Sequence, residues 1–132
     1  MESRIQEAVE RKKRCNCAQA VACTYCDLVG IDEETMMRLT SGFGMGMGNM
    51  EGTCGALTGA CVVLGARIAD RNRSREAMGR MMAKFQQRNS ATLCKDLKGR
   101  DTHRPLRACP DCVADASEFL EEALAEIDDE NK

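Results

Sequence analysis

Apolar residues recur at helical spacing along most of the chain, and this pattern predicts an all-α protein. The clearest stripe follows Cys54 and consists of Leu57, Cys61, Leu64 and Ile68. Residues three or four positions apart share one face of a helix. Other helices are predicted over residues 3–29 and 33–39, from Ser74 through Met78, Met81, Met82 and Phe85, around Leu93, Cys94 and Leu97, and from Cys109 through Val113, Ala116, Leu120, Leu124 and Ile127. We therefore predict a small bundle of about five helices.

Polar residues and glycines mark the ends of these predicted helices. Gly30 is expected to close the first helix and Asp32 to cap the second. Ser90 is expected to open a short helix that Gly99 stops. The sequence Cys109-Pro110-Asp111 predicts a helix start, because proline suits the first helical position and an acidic residue suits the first turn.

A glycine-rich loop leads into the predicted central helix. The segment 42–65 reads GFGMGMGNMEGTCGALTGACVVLG. Cys54 falls in or near the first turn of the helix, with Asn49 or Thr53 as the expected cap. Because the amides of a first turn are unpaired and the helix dipole is positive there, this position favours a thiolate. The sequence therefore predicts a reactive or metal-binding sulfur at Cys54.

Two glycines give the central helix a face that is almost without side chains. Gly55 and Gly59 lie one turn apart and are flanked by Ala56 and Ala60. Since a glycine inside a helix costs about 1 kcal/mol relative to alanine, two of them indicate a packing requirement. We expect another backbone to approach this face closely, either within the chain or across a homodimer.

Composition favours one helical domain spanning residues 1–132. Hydrophobic residues make up 43% of the chain, but there are only one Tyr, three Phe and no Trp. Leu, Met, Ala, Val and Cys must therefore fill the core, and the scarcity of aromatic and β-branched residues argues against a sheet. This length allows a single core.

Charge and hydropathy exclude two classes of partner. The formal net charge is -2, so there is no basic excess to bind phosphates, and aromatic residues for base stacking are scarce. We therefore expect no nucleic acid partner.

The opening residues MESRIQEAVERKKRC lack the apolar core of a signal peptide, and no run of about 18 apolar residues predicts a membrane span. A cytoplasmic location is the expectation.

The cysteine content points to metal or redox chemistry. Nine cysteines are many for a chain kept under reducing conditions, where cysteine clusters more often bind metal or exchange electrons than form structural disulfides. In a continuous helix over residues 3–29, Cys17 would share the core face with Val21 and Leu28. Cys15, Cys23 and Cys26 would lie on roughly the opposite side.

Two pairs of cysteines have the C-x2-C spacing, Cys23 with Cys26 and Cys109 with Cys112. Four sulfurs at such spacings suggest zinc, although the first pair lies mid-helix and faces away from Cys17. Taken alone, the second pair is typical of a dithiol at a helix start, where disulfide exchange is favoured. No βαβ pattern accompanies it, so a thioredoxin fold is not predicted.

A different grouping is suggested by the structural setting of each cysteine. Cys17 is predicted on a core face, Cys54 and Cys109 near helix starts, and Cys94 in a short helix. Packing around Gly55 and Gly59 would bring these four sulfurs together, so we assign both glycines to the candidate cofactor-binding set with them. Four thiolates suit an iron–sulfur cluster or a closed zinc site, and two close pairs suit reversible disulfides. The plain alternative is buried thiols that act as small hydrophobic residues.

Two smaller features concern other ligand types. The sequence Met45-x-Met47-x2-Met50 precedes Cys54, and thioethers with a thiolate select soft ions such as Cu(I). His103 is the only histidine and falls in the polar connection 100–107. We interpret it as a surface residue.

Several motifs together resemble a known family. They are Asn16-Cys17-Ala18-Gln19-Ala20-Val21, the glycine loop, Cys54-Gly55-Ala56-Leu57-Thr58-Gly59, Cys94-Lys95-Asp96-Leu97, and Cys109 before Val113-Ala114-Asp115-Ala116. This arrangement resembles a family of bacterial proteins, described as redox-active, that is named for its C…CGAxxG…C…C pattern. The resemblance implies a small cytoplasmic helical bundle whose four family cysteines are Cys17, Cys54, Cys94 and Cys109.

The chain is also similar to a domain attached to certain split-Soret cytochromes, where cysteines hold an iron–sulfur cluster. This likeness implies the same cofactor as one option here. The chain departs from the four-cysteine pattern through Cys15, Cys23, Cys26, Cys61 and Cys112. These additional sulfurs leave a second site or a different ion open.

Our functional hypothesis is thiol-based redox chemistry or iron–sulfur electron transfer, with Cys54 and Cys109 as the reacting residues of a thiol oxidoreductase. A redox partner protein or a small thiol is the expected partner. The competing hypothesis is a non-enzymatic module that binds zinc or copper, such as an accessory protein to a transporter. Its metal ligands would be Cys17, Cys54, Cys94 and Cys109, with Cys23, Cys26 and Cys112 as the second choice.

Overall fold

The computed structural model describes residues 1–131 and consists of seven α-helices in this range. They are α1 Ile5–Arg11, α2 Cys17–Tyr25, α3 Glu33–Leu39, α4 Gly55–Ile68, α5 Arg71–Asn89, α6 Cys94–Lys98 and α7 Cys109–Glu130. The described residues contain no β-strand, only one isolated bridge between Thr53 and Leu93. None of their helices is both long enough and apolar enough to cross a membrane. The predicted all-α bundle is confirmed.

The first predicted helix is interrupted, which is why the bundle has more helices than expected. Asn16 stops continuation from α1 and caps α2, because its side chain accepts a hydrogen bond from the Gln19 amide at 2.8 Å. The Gln19 side chain in turn accepts from the Asn16 amide at 3.1 Å, which completes a capping box. A single 3-10 turn, Cys26–Val29, follows α2 and ends at Gly30 with φ of 72°. The continuous helix over residues 3–29 was wrong, whereas its end at Gly30 is confirmed.

Two other helix boundaries also differ from the prediction. The Asp70 side chain accepts from the Arg73 amide at 2.9 Å, so α5 begins at Arg71 rather than Ser74. Ser90 adopts a left-handed conformation with φ of 67° and ends α5 instead of opening the next helix. The predictions missed a polar cap that directly precedes the first helical residue.

The remaining helix ends lie where the sequence placed them. Asp32 accepts from the Thr35 amide at 3.0 Å and caps α3. Gly99 ends α6 in the left-handed region, and Pro110 lies in the first turn of α7. The long predicted helices α4 and α7 are therefore both present, and their starts are fixed by local sequence.

Helix α4 lies at the centre and packs against α2, α5 and α7. Its glycine face receives α2: a Cβ placed on Gly59 would lie only 2.4 Å from the Ala18 carbonyl oxygen. A Cβ on Gly55 would lie 3.3 Å from the Ala18 amide nitrogen. The predicted close approach of a second backbone is confirmed, and that backbone belongs to the same chain.

The core contains the residue types that composition predicted. Val21, Leu57 and Val63 are fully buried with the aromatic rings of Tyr25 and Phe85. On α5, Met81 and Phe85 face inward, and Met78 and Met82 pack partly buried against the core. This packing places α4 against both α2 and α7.

Candidate redox site

Five cysteines line one small cavity, which we call the cysteine cavity. They are Cys17, Cys54, Cys94, Cys109 and Cys112. Its volume is about 20 Å³, which is room for about one water molecule. The wall also includes Met45, Gly46, Gly55, Leu97, Lys98 and Arg107.

Four helix starts converge on this cavity. Cys17 is the first residue of α2, Cys94 of α6 and Cys109 of α7, and Cys54 directly precedes α4. The amides of a first helical turn have no partner within the helix, so each start presents positive backbone charge to the sulfurs. Cys112 lies one turn into α7 and completes the group. The fold thus gathers five thiols near four helix starts, and the pKa is lowered at two of them, Cys54 and Cys109.

The local cap at Cys54 differs from the prediction. Cys54 itself occupies the position before α4, and neither Asn49 nor Thr53 caps this helix. The Asn49 side chain instead accepts from the Glu51 amide at 2.9 Å and stabilises a turn in the loop. The Cys54 amide donates to the Thr92 carbonyl at 2.8 Å, which ties the start of α4 to the segment before α6.

The glycine-rich loop holds Cys94 against the cavity. Gly46 is buried with φ of 56°, and a Cβ placed on it would lie 2.5 Å from the Cys94 Cβ. The Cys94 amide donates to the Gly52 carbonyl at 3.0 Å, and the Gly52 amide donates to the Gly46 carbonyl at 2.9 Å. Glycine is required at position 46 because a Cβ would collide with Cys94, and the left-handed backbone would strain any other residue there. The loop therefore positions α6 as well as α4.

The sulfurs of Cys17 and Cys109 form one close pair, which we call the outer pair. A side-chain hydrogen bond with Cys17, followed by the charge of Lys98, lowers the pKa of Cys109 to about 5. The same hydrogen bond, with Cys109 as the charged partner, raises the pKa of Cys17. Both side chains are half-buried. The wall of the cavity thus carries a Cys17 thiol of raised pKa beside a Cys109 thiol of lowered pKa.

Cys54 and Cys112 form a second close pair, which we call the inner pair. A side-chain hydrogen bond with Cys112, aided by the backbone amides of Ala56 and Leu57, lowers the pKa of Cys54. That bond to Cys54, together with burial, raises the pKa of Cys112. Both sulfurs belong to buried residues. The inner pair therefore resembles the outer pair in having one thiol of lowered pKa and one of raised pKa, but its residues are more buried.

Cys94 lines the cavity between these pairs. Burial raises its pKa, whereas Lys98 acts in the opposite direction. Its hydrogen bonds come from its backbone, as described above. Of the four cysteines grouped by the sequence, Cys94 is the one whose pKa is set by burial rather than by a thiol partner.

An ionic cluster fixes the start of α7 beside the cavity. Asp115 is buried and accepts two hydrogen bonds from Arg107, both at 3.1 Å. It also accepts from Arg88 and from Asn89, again both at 3.1 Å. Because a buried carboxylate needs such partners, this cluster ties α5 and the connection 100–107 to α7. Sequence reasoning missed Asp115, whose helical position alone does not show that it is buried.

Cys23 and Cys26 lie away from the cysteine cavity, in a shallow surface pocket with Arg11 and Glu33. They lie away from Cys17, as predicted, but both are buried, at 4% and 5% exposure, so the core is not confined to the helix face that carries Cys17. The reason is that α2 is covered on two sides, by α4 and by α1 with α3. The two C-x2-C pairs are therefore not assembled into one site.

The described side chains do not form a ready metal centre. Within residues 1–131, no group of three or more His, Cys, Asp or Glu side chains is placed to hold a metal ion. Met45 reaches the cavity wall, but Met47 is 60% exposed.

The other predicted features are at the surface. Cys61 is exposed on α4, and Cys15 is half-buried beside α1. His103 is exposed, as expected, with φ of 60°.

A helical bundle whose helix starts gather five cysteines defines a small all-α protein with a thiol cluster. The chain belongs to the family described as "Putative redox-active protein (C_GCAxxG_C_C)", whose model matches residues 15–123. The family resemblance noted in the sequence is thus confirmed, and the match includes all five cysteines of the cavity. The family is named for GCAxxG and not for CGAxxG, so that part of the expectation was wrong, and this chain has the first two residues in the other order, Cys54-Gly55. No curated protein and no solved structure matches the chain.

Proposed function

We propose that this protein is a thiol–disulfide oxidoreductase in which Cys109 is the attacking thiolate and Cys17 is the resolving thiol. The observation that carries the proposal is the outer pair itself: a half-buried thiol of low pKa at a helix start, beside a second thiol. Thiolates at helix starts and near cations are the reactive form of cysteine in redox proteins. Membership of a family described as redox-active supports the same chemistry.

The reaction has two exchange steps. The Cys109 thiolate attacks one sulfur of a substrate disulfide, so a Cys109–substrate bond forms, the substrate S–S bond breaks and one substrate thiolate leaves. Cys17 then loses its proton and attacks the Cys109 sulfur, releasing the second substrate thiolate and forming the Cys17–Cys109 disulfide. The substrate gains two electrons from the two protein thiols, and the reverse reaction oxidises a dithiol substrate.

The shape and charge of the site favour a substrate that reacts at its edge. The cavity has room for about one water molecule, so a substrate disulfide cannot enter it. Lys98 and Lys12 are the cations that lower the pKa of Cys109. Positive charge at the reacting sulfur favours an anionic partner, either a small disulfide with carboxylates or an acidic protein surface.

The proposal is tested with 5,5′-dithiobis(2-nitrobenzoate), an anionic disulfide, in a background with two changes. Cys61→Ser removes the exposed thiol on α4, and Cys112→Ala removes the thiol one turn from Cys109 on α7. We expect Cys109 to react first and to release two thionitrobenzoate ions as the Cys17–Cys109 disulfide closes. In Cys17→Ser we expect one ion and a stable adduct at Cys109. Mass spectrometry of the intact protein and its peptides measures both outcomes.

Two results would contradict the proposal. One is a first adduct on any cysteine other than Cys109, and the other is loss of the adduct in Cys17→Ser at the wild-type rate. A Cys15→Ser variant is the matched control, because Cys15 is half-buried but does not line the cavity. Stoichiometric iron or zinc in anaerobically purified protein, with Cys109 protected from the reagent, would instead favour the metal hypothesis.

A further inference from the structure

We infer that Cys54 and Cys112 are a second redox dithiol, which is oxidised through the outer pair by way of Cys109 and Cys112. The reduced cysteine cavity would then deliver four electrons rather than two. This inference rests on the proposed function, because the outer pair must first react with a substrate. It assigns Cys112 a redox role with Cys54, whereas the sequence pattern had suggested Cys112 as a dithiol partner of Cys109 or as a second-choice metal ligand.

Burial separates the two pairs in their access to substrate. Cys54 is 6% exposed and Cys112 is 2% exposed, whereas Cys17 and Cys109 are half-buried. Since the cavity has room for about one water molecule, no disulfide substrate reaches the inner sulfurs directly. The inner pair can therefore exchange only with a sulfur that already belongs to the protein.

Helix α7 supplies that sulfur. Cys109 and Cys112 are three residues apart in its first turn, and residues at this spacing have Cβ atoms about 5–6 Å apart on one face. The Cα separation over this spacing falls in the range of about 4.4–6.8 Å that a disulfide spans, whereas the Cβ atoms must draw in to about 3.5–4.5 Å, so the first turn of α7 adjusts as the bond forms. Cys112 also hydrogen-bonds to Cys54, so it contacts one pair and neighbours the other. Cys112 thus lies beside Cys54 and one helical turn from Cys109, the reacting sulfur of the outer pair.

The transfer balances without any further reagent. After a substrate disulfide has oxidised the outer pair, Cys112 loses its proton and attacks Cys109. A Cys109–Cys112 bond forms, the Cys17–Cys109 bond breaks and Cys17 is released as a thiolate that takes a proton. Cys54 then attacks Cys112, so the Cys54–Cys112 disulfide forms and Cys109 leaves as a thiolate. The outer pair is reduced again and accepts a second substrate disulfide.

The test uses glutathione disulfide as oxidant on the fully reduced full-length protein with Cys61→Ser. Samples are quenched in acid and alkylated under denaturing conditions, and tandem mass spectrometry locates the linked cysteines. We expect two disulfides, Cys17–Cys109 and Cys54–Cys112. In Cys112→Ala, or in Cys54→Ala if the first variant does not fold, only Cys17–Cys109 is expected.

The route is tested separately with Cys109→Ala, a change at a half-buried position. Without Cys109, we expect the Cys54–Cys112 disulfide to form at least tenfold more slowly. Formation at the wild-type rate would overturn the relay, as would free Cys54 and Cys112 thiols in protein whose outer pair is fully oxidised. In that last case the proposed function would stand and only this inference would fail. If the Cys17–Cys109 disulfide itself does not form, both fail together.

Discussion

The two C-x2-C pairs of this chain have the same spacing but opposite surroundings. Cys109 and Cys112 lie at the start of α7, where unpaired amides and Lys98 favour a thiolate. Cys23 and Cys26 lie where α2 ends and a 3-10 turn begins, near carbonyl groups and the carboxylate of Glu33. The spacing of two cysteines therefore does not determine their chemistry, whereas the end of the helix on which they lie does.

The pKa values of the thiols differ in the same way, being raised in the pair at the helix end and lowered for Cys109 at the helix start. Burial, followed by the neighbouring Cys26, raises the pKa of Cys23 to about 11. The Cys26 thiol donates to the Cys23 carbonyl at 3.3 Å, as expected for a protonated sulfur at a helix end. Cys109, by contrast, has a lowered pKa of about 5. The first sulfur of one pair is therefore acidic, whereas the first sulfur of the other stays protonated at neutral pH.

The largest expected effect is the difference in alkylation rate between Cys109 and Cys23. At pH 7 Cys109 is a thiolate, whereas only about one Cys23 in ten thousand is ionised. A thiolate of low pKa is also intrinsically less nucleophilic. This lowers the rate advantage that Cys109 gains from its larger ionised fraction by a factor of about 250 to 1,000. We therefore expect Cys109 to react with iodoacetamide at least about tenfold faster than Cys23, and burial of Cys23 widens this difference.

The pH dependence provides the control for that experiment. Because the pKa of Cys109 is lowered, its thiolate persists as the pH falls from 7 and is lost only through about pH 5. The rate should therefore fall about tenfold between pH 7 and pH 4. Cys23 should instead gain reactivity up to about pH 11. Peptide mapping by mass spectrometry follows both residues, and equal rates at pH 7 would remove the distinction between the pairs.

A second prediction concerns the packing that brings α2 to the outer pair. Gly59→Ala should lower the free energy of unfolding by about 1–3 kcal/mol, because the new Cβ would meet the Ala18 carbonyl. The matched control is Gly79→Ala on α5, where nothing lies within 4 Å and helix propensity should add up to about 1 kcal/mol. Urea unfolding of both variants measures the difference. Equal stabilities would show that Cys17 does not depend on this contact for its position.

A smaller effect is expected from Lys98, whose charge is the next cause of the low pKa of Cys109 after Cys17. In Lys98→Met the alkylation rate of Cys109 at pH 5 should fall about two- to fivefold, since removing a nearby opposite charge raises a thiol pKa. Lys95→Met on the same helix is the control, because Lys95 pairs with Glu51. A similar loss in both variants would indicate damage to α6 rather than loss of a specific charge.

Much of the site could be predicted because helix starts are encoded locally. Pro110 and Asp111 placed Cys109 in a first turn, and the glycine loop placed Cys54 at the start of the central helix. The bare face of Gly55 and Gly59 indicated a close backbone. The structural roles of these residues depend on their immediate neighbours, so one sequence was sufficient to find them.

The remaining features depend on contacts between distant segments. Asn16 and Gln19 formed a readable capping box, but helical periodicity across residues 3–29 concealed the break before Cys17. The burial of Cys23 could have been suspected, because residues 17–26 are almost free of charged side chains and a helix that is apolar all round is buried. No local signal showed that Cys112 faces Cys54, since that contact joins α7 to α4.

The smallest expected effect distinguishes two causes of the raised pKa of Cys23, namely burial and the charge of Glu33. The carboxylate of Glu33 raises the pKa of Cys23, but it is 58% exposed, and burial is the larger cause. Glu33→Gln should therefore increase the alkylation rate of Cys23 by less than about twofold, because exposed charges act weakly through water. The rate at Cys109, measured in the same digest, should not change. A tenfold increase at Cys23 would mean that charge rather than burial keeps this pair protonated, and the contrast between the two C-x2-C pairs would then be one of neighbouring ions alone.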